Sequence, residues 1–396
     1  MVQRNDMART TLLLFYLALL SACNNPQANT PQALIIGDWT SIVTRNDSDT
    51  VDKILERMGH PDGYEFKPNG ICEYKPGYFK EAEVETTAQD RKRFSIKKRT
   101  SAFFFGTKTT YTITGNNLKI FNLADSNWQT AKIKSISADT LTLESGNKTI
   151  TKYIRQHYNI EDKTLFDQVV VSSSGCFGTC PVNDVVIGAD GNGIYYGQNY
   201  NNKSGLYYFH LQNGEFDDIE TSFKKAGTMQ LSENNAADVT DNETVSLTFF
   251  KNGKIIKKIE DYGNVTPVEF QWVYGNVRNL YQVEKLDTIS SIKPPLIGKY
   301  GLTIFFGEEL GLSKSAAFYL WNLTRLGKAT NQNFAKKYEI DLHGINNIKT
   351  VETDGRFYAF NMMDSTKTTI DIGYNFFAGG GARNSTIRST NVKFFN

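Results

Sequence analysis

Four dipeptides that reverse a chain within two residues punctuate this sequence: Asn69-Gly70, Asp190-Gly191, Asn252-Gly253 and Asp354-Gly355. Asn-Gly and Asp-Gly accept positive φ at both turn positions, which matches the twist of two adjoining antiparallel strands. Short β-branched, aliphatic or aromatic runs flank each of them, as hairpins require. A chain divided this way folds into antiparallel sheets. Its 26 Phe, 20 Tyr and only 9 Pro agree with a β-rich protein full of turns. At 396 residues it is long enough for two or three units, given about 100–200 residues per domain. Its 44 basic and 42 acidic residues leave a net charge of +2. That is no global field of the kind that attracts nucleic acid, and none is expected as a partner. Four His and four Cys leave few candidates for catalysis or metal binding.

The first segment reads as a targeting label. Arg4 and Arg9 precede nine apolar residues, Leu12 to Leu20. A membrane-spanning helix needs about 20, so this run has the length of a signal-peptide core. Met7 is an alternative start. Leu20-Ser21-Ala22-Cys23 follows directly. It resembles the lipobox of bacterial lipoproteins, which implies cleavage of residues 1–22 and lipidation of Cys23 with palmitate-type chains. The partner would then be a membrane, reached through the lipid anchor. Asn24, where Asp retains such proteins in the inner membrane, points to the outer membrane. Residues 23–33 are polar, lack periodicity and read as a tether.

Residues 34–156 read as a small barrel. Leu34 to Ile42 opens a strand. Val51, Ile54, Leu55 and Met58 are spaced for a short helix that Gly59 and Pro61 end. Strands recur at Tyr64–Phe66, Ile71–Tyr74, Tyr111–Ile113, Leu118–Leu123, Ile133–Ser137, Leu141–Glu144 and Ile150–Ile154. Consecutive antiparallel strands with one apolar face tend to close, because closure removes exposed edges. Gly37-x-Trp39, the Phe66-x-Pro68-Asn69-Gly70 turn and the stretch from Ser137 to Tyr153-x-Arg155 resemble the lipocalin-like domains of bacterial lipoproteins. That resemblance implies a barrel with Trp39 closing its bottom and Arg155 packed over the indole. A small barrel is either filled by side chains or holds one apolar ligand; the filled form is expected here. Cys72, on a strand, reads as a buried small hydrophobe.

Arg91 to Arg99 holds six basic residues in nine. It could attract anionic headgroups, polysaccharide or nucleic acid. The favoured reading is a solvated strand neutralised by Glu81, Glu83, Glu85 and Asp90. Phe103, Phe104 and Phe105 read as core and rim packing.

Residues 160–287 form a second module. Gly175-Cys176-Phe177-Gly178-Thr179-Cys180-Pro181 follows a strand at Phe166–Val171, and two hairpins come after it. Phe216, Ile219 and Phe223 share one helix face, ended by Gly227. Thr266-Pro267-Val268-Glu269 reads as a capping box opening a second helix with Val273, Val277 and Leu280 as its stripe. Cys-Phe-Gly-Thr-Cys-Pro, with Asp190-Gly191 and Tyr195-Tyr196-Gly197 beyond it, resembles an uncharacterised bacterial family defined by that opening. In that family Tyr follows Pro-Val, where this chain has Asn183. The resemblance implies a fold and no chemistry. Cys176 and Cys180 suit a disulfide outside the cytoplasm. A redox pair is the rival, although the spacing differs from the thioredoxin motif. A metal site is weaker still, since no His is near.

Lys293-Pro294-Pro295 marks a break near the start of residues 288–396, read as a third unit, with a continuation of the second as the alternative. It shows a strand at Leu302–Phe306, a helix capped by Ser313 with Ala316, Leu320 and Leu323 on one side, and strands at Tyr338–Leu342 and Thr369–Phe377. Gly379-Gly380-Gly381 reads as a turn, since the Lys-Ser/Thr of a phosphate loop is missing. The expected class is therefore mainly β with α+β: a small antiparallel β-barrel, an antiparallel sheet plus two helices, and a third α+β unit. No nucleophile–base or metal-ligand spacing emerges, so no catalytic, cofactor-binding or metal residue is assigned. The sequence reads first as a non-enzymatic, membrane-anchored lipoprotein of the cell envelope, displaying modules for an envelope protein or polysaccharide partner. The alternatives are a thiol-redox enzyme using Cys176 and Cys180, a hydrolase using scattered carboxylates, and a carrier of a small apolar ligand.

Overall fold

The computed structural model describes residues 30–42, 61–86, 97–146, 148–160, 163–289, 302–306, 308–341 and 348–378. The segment 1–22, Cys23, the helix expected at Val51–Met58, most of the basic run, the Lys293-Pro294-Pro295 break and the triple-glycine turn lie outside them. The protein is mainly β with α+β elements. It forms two compact units: the first holds the chain to Lys75 and from Lys108 to His157, the second Pro76–Thr107 and the chain from Tyr158 on.

The first unit opens with a short helix, α1 (Pro31–Leu34), whose N-cap Thr30 accepts from the Ala33 amide. The last residues of the expected tether are thus ordered by a Thr-Pro start signal. Strands β1 (Gly37–Ile42), β2 (Gly63–Phe66) and β3 (Ile71–Tyr74) follow. Next come β4 (Phe79–Glu85) and β5 (Lys98–Phe104), which pair only with each other. Strands β6 (Lys108–Thr114), β7 (Asn117–Asn122), β8 (Asn127–Ile136), β9 (Thr140–Ser145) and β10 (Ile150–Gln156) complete a closed barrel in the order β1-β10-β9-β8-β7-β6-β3-β2. Alternate residues point inward. Ile35, Trp39, Phe66, Cys72, Tyr111, Leu118, Ile133, Leu141, Leu143 and Tyr153 fill the interior as one buried cluster. Burial pushes the Cys72 thiol up to about 12, so it stays protonated and serves as packing.

The barrel bottom is held by Arg155. Its guanidinium carbon lies 4.2 Å from the Trp39 ring centroid. Its nitrogens donate to the carbonyls of Leu34, Ile36 and Ala138. The Trp39 indole donates to the Ile35 carbonyl at 2.7 Å. Gly37 must be glycine for two reasons: its φ is +129°, and a Cβ there would collide with Nη1 of Arg155. That nitrogen cannot swing away without breaking a carbonyl contact.

Residues 76–107, inside the segment expected to be barrel, belong to the second unit. The β4–β5 pair holds together partly by an aromatic contact across its strands and meets the rest of the unit through polar contacts. Phe79 packs on Phe104 at 5.0 Å between centroids. Arg99 donates to the Asn201 carbonyl at 3.2 Å, and Gln282 accepts from the Phe104 amide at 3.3 Å. Lys98 meets Glu83 at 3.1 Å on the exposed side, as the neutralised-strand reading expects.

The second unit contains β11 (Gln168–Ser173), β12 (Asn183–Gly188), β13 (Asn192–Gly197), β14 (Gly205–His210), α2 (Glu215–Lys225), β15 (Asn234–Ala236), β16 (Thr244–Lys251), β17 (Lys254–Tyr262), α3 (Val268–Asn279) and β18 (Asp287–Thr288). These strands make an eight-stranded sheet, β15-β17-β16-β11-β12-β13-β14-β18. It is antiparallel apart from the β15–β17 pair. The runs Val169-Val170-Val171 and Val185-Val186-Ile187 are apolar at every position, which marks a sheet covered on both faces. Val169, Val171, Val185 and Ile187 pack under Phe216 and Phe223 of α2 and Phe270, Tyr274 and Val277 of α3. Val170, Val186 and Phe250 face the opposite way.

The expected capping box does not form. Val268 begins α3 without a side-chain cap. The Thr266 hydroxyl donates to buried Asp261, and Glu269 accepts from the Tyr158 hydroxyl at 2.9 Å. Tertiary partners outcompete the local ones for both side chains.

The opposite face is covered by the C-terminal region. It comprises β19 (Leu302–Phe306), β20 (Glu308–Leu312), α4 (Lys314–Leu326), β21 (Lys328–Thr330), β22 (Tyr338–Asp341), β23 (Ile348–Thr353), β24 (Phe357–Met362) and β25 (Lys367–Asp371). Its sheet runs β20-β19-β22-β23-β24-β25-β21. The strand expected to reach Phe377 ends at Asp371. Gly373 then turns at φ +89°, and Phe376 and Phe377 fold into the core. Helix α4 lies between two sheets and is buried from Lys314 through Asn322, where the sequence suggests burial of one side only. The sheet β11–β18 and the C-terminal sheet share one hydrophobic cluster through this helix.

At its N-terminus, Ser313 caps from the Ala316 amide, Ser315 shares a 2.8 Å hydrogen bond with Thr248, and the Ser315 amide donates to Ser246 at 3.0 Å. Lys314 forms an ion pair with Asp184 at 2.5 Å, both fully enclosed. Burial pulls the lysine below its ordinary range despite the neighbouring carboxylate.

Two outcomes test this account. Gly37→Ala lowers barrel stability by about 1–3 kcal/mol in urea denaturation, the usual scale for a residue forced into a disfavoured backbone region. Lys314→Ala costs about 3–5 kcal/mol, because it leaves an uncompensated buried carboxylate. Combining Lys314→Met with Asp184→Leu recovers most of that loss, and the same denaturation curves measure it.

Candidate functional site

Between β11 and β12 the chain leaves the sheet as a loop, residues 174–182. The sulfurs of Cys176 and Cys180 lie at disulfide distance, with Cα atoms 5.7 Å apart. Phe177, inside the closed ring of residues, is 88% exposed. A large apolar side chain so open to water is normally hidden or used. Its amide donates to the Asp241 carbonyl at 3.1 Å, which ties the loop tip to the turn before β16.

The loop stands on a buried polar base. The Ser173 hydroxyl donates to the Pro181 carbonyl at 2.8 Å, and the Asn183 amide donates back to Ser173 at 3.2 Å. The Asn183 side chain donates to Asn201 at 3.0 Å and to the Arg278 carbonyl at 3.3 Å. Asn201 in turn donates to the Val182 carbonyl at 2.6 Å. The short Asn183 side chain thus joins both loop ends to the end of α3. Ser174 bonds Thr244 in both directions, at 2.8 and 2.9 Å.

Charge around this base is paired and enclosed. Arg278 meets Glu243 at 2.8 Å. Burial works against the guanidinium charge, yet Glu243 outweighs it and holds Arg278 above its ordinary range. Asp261 accepts from the Val265 amide at 2.9 Å and from the Tyr274 hydroxyl at 3.0 Å. Tyr195 stacks on Tyr281 at 4.1 Å. Burial raises all three phenols, so none titrates near neutrality. What the arrangement offers chemically is a braced loop presenting an aromatic ring, over a base of hydrogen-bonded polar groups.

Residues 167–281 are similar to DUF6438, described as a domain of unknown function. The matched stretch runs from the start of β11 to the end of α3 and includes the loop with Phe177. No curated protein matches the chain.

Of the residues singled out from sequence, Cys176 and Cys180 come together in this loop; Cys23 lies outside the described residues. Cys72 lies in the barrel core of the first unit. Among the described residues no cluster of His, Cys, Asp or Glu is arranged to hold a metal ion. Sequence reasoning missed Ser173, Asn183, Asn201 and the Glu243–Arg278 pair as the loop's support. Arg278 carried a readable signal, as a charge beside the apolar stripe Val273, Val277 and Leu280. Nothing local marks Asn201.

Removing the bridge has a bounded effect. Closing a five-residue ring contributes about 2 kcal/mol in the chain-entropy model. Cys176→Ser with Cys180→Ser therefore lowers global stability by no more than about that amount. Faster amide exchange is confined to the loop and the β11 and β12 ends, read by hydrogen exchange.

Proposed function

We propose that this protein is a lipoprotein of the bacterial cell envelope, lipid-anchored in the outer membrane and displaying modules for binding or envelope assembly, with no catalysis of its own. One observation carries the reading: Leu20-Ser21-Ala22-Cys23 stands directly after a nine-residue apolar run with Arg4 and Arg9 before it. A run that short suits a signal peptide and cannot span a bilayer. Three further features support it. Cys176 and Cys180 at disulfide distance suit an oxidising compartment. Phe177 on its braced loop suits recognition of an envelope protein or polysaccharide. A lipocalin-like barrel whose interior is occupied by Trp39, Phe66, Tyr111 and Tyr153 suits a scaffold better than a carrier. Among the described residues no helix is long and apolar enough to cross a membrane.

Labelled palmitate is expected to enter the mature protein, and Cys23→Ser to abolish labelling and release the chain into the soluble fraction. Asn24→Asp shifts the wild-type chain from outer-membrane to inner-membrane fractions. A wild-type protein that takes up no label overturns the reading.

A further inference from the structure

The barrel wears a basic and apolar coat on one stretch of its wall. Residues paired across β7 to β10 alternate between interior and exterior, apart from a bulge at Lys134 of β8, so the positions opposite the packed interior form one outer surface. Cross-strand pairs place Phe121 beside Trp128, Lys119 beside Thr130, Lys132 beside Glu144, Lys152 beside Thr142 and Ile150 beside Glu144. Trp128 is 48% exposed and Ile150 60% exposed, and Ile154 is also open to water. Phe121 props the indole edge-on at 5.5 Å, which holds it outward. Glu144 is the one carboxylate on these pairs, and Lys134 engages it at 3.0 Å. Lys119, Lys132 and Lys152 are exposed and form no ion pair with a described carboxylate.

Lysines interleaved with outward Trp and Ile side chains have the chemistry of a bilayer interface. The ammonium groups reach phosphates while the indole and aliphatic groups enter the headgroup–acyl boundary. The wall is too polar to be embedded among lipid chains, since a transmembrane barrel is apolar outside. Chain length adds a second, independent reason. Thr30, the first described residue, is seven positions beyond Cys23. Seven residues span at most about 25 Å when fully extended. An anchor at Cys23 would therefore hold the start of the barrel within about 25 Å of the membrane surface.

We propose that the outer wall of β7–β10 is a peripheral membrane-contact face for anionic phospholipid headgroups. It rests on the lipid-anchor reading only through the tether length. The lysines supply attraction that salt screens, and Trp128 supplies insertion that salt does not. The face orients the barrel on the bilayer and turns a flexible attachment into a defined one.

The test uses the chain from residue 23 onward carrying Cys23→Ser, so that binding owes nothing to a lipid anchor or to the basic, apolar segment 1–22. Co-sedimentation is measured with vesicles of phosphatidylglycerol in phosphatidylcholine and with phosphatidylcholine alone. The expected result is binding to the anionic vesicles, weakened by salt, with a blue shift of emission that Trp128→Phe abolishes. Reversing Lys119, Lys132 and Lys152 to Glu lowers partitioning at least about 100-fold, at roughly fivefold per lysine. Unchanged circular dichroism shows that the reversed variant folds, and Lys132→Gln alone, with a loss of roughly fivefold, covers the case in which it does not. Equal partitioning of wild type and the reversed variant, or binding to a soluble anionic polysaccharide without binding to vesicles, overturns the proposal. Palmitate labelling in cells decides the anchor reading separately, so failure of one leaves the other distinguishable.

Discussion

A sheet that is apolar on both faces needs two covers. That need organises the larger unit. In β11 and β12 every residue from Val169 to Val171 and from Val185 to Ile187 is buried, so helices on one side alone would leave Val170, Val186 and Phe250 in water. Helix α4 and the sheet behind it supply the second cover. The Lys314–Asp184 pair fixes where that cover lands, because a buried charge tolerates few positions for its partner. The apolar contacts around it are less demanding and would accept small shifts. The C-terminal region is thus bound into the middle sheet through one shared core, which explains why residues 288–396 carry no self-contained pattern of their own.

Much of the fold was legible because its signals are local. Asn69-Gly70, Asp190-Gly191, Asn252-Gly253 and Asp354-Gly355 all turn hairpins, with Gly70, Gly191, Gly253 and Gly355 at positive φ. The stripe Phe216, Ile219, Phe223 and the terminal Gly227 define α2 as read. Trp39 and Arg155 meet as the barrel resemblance implies. Local signals failed where a distant partner competed for the same group. Thr266 and Glu269 spell a capping box and spend both side chains elsewhere. The acidic and basic strands β4 and β5 lie in sequence between two barrel strands, yet their free energy comes from Asn201, Asn202 and Gln282 about a hundred residues or more away.

The loop with Phe177 divides the same way. Two cysteines four positions apart announce a closed ring, and their sulfurs lie at disulfide distance. What braces it is a set of small polar side chains from two strand ends and a loop, Ser173, Asn183 and Asn201, whose spacing in the sequence has no period. Lys314 and Asp184 are 130 residues apart, and a lone lysine at a helix start reads as a solvent-facing residue until its partner is known. The legible part of this protein is its scaffold. The part that tunes the scaffold is written in single polar residues.

The strand order of the barrel has a topological consequence. Strands β3 and β6 are hydrogen-bonded neighbours, although residues 76–107 depart and return between them. Together with the junction at His157 and Tyr158, the backbone passes between the two units three times. Neither unit is one uninterrupted stretch, so no single peptide-bond scission in a connection can liberate the barrel intact.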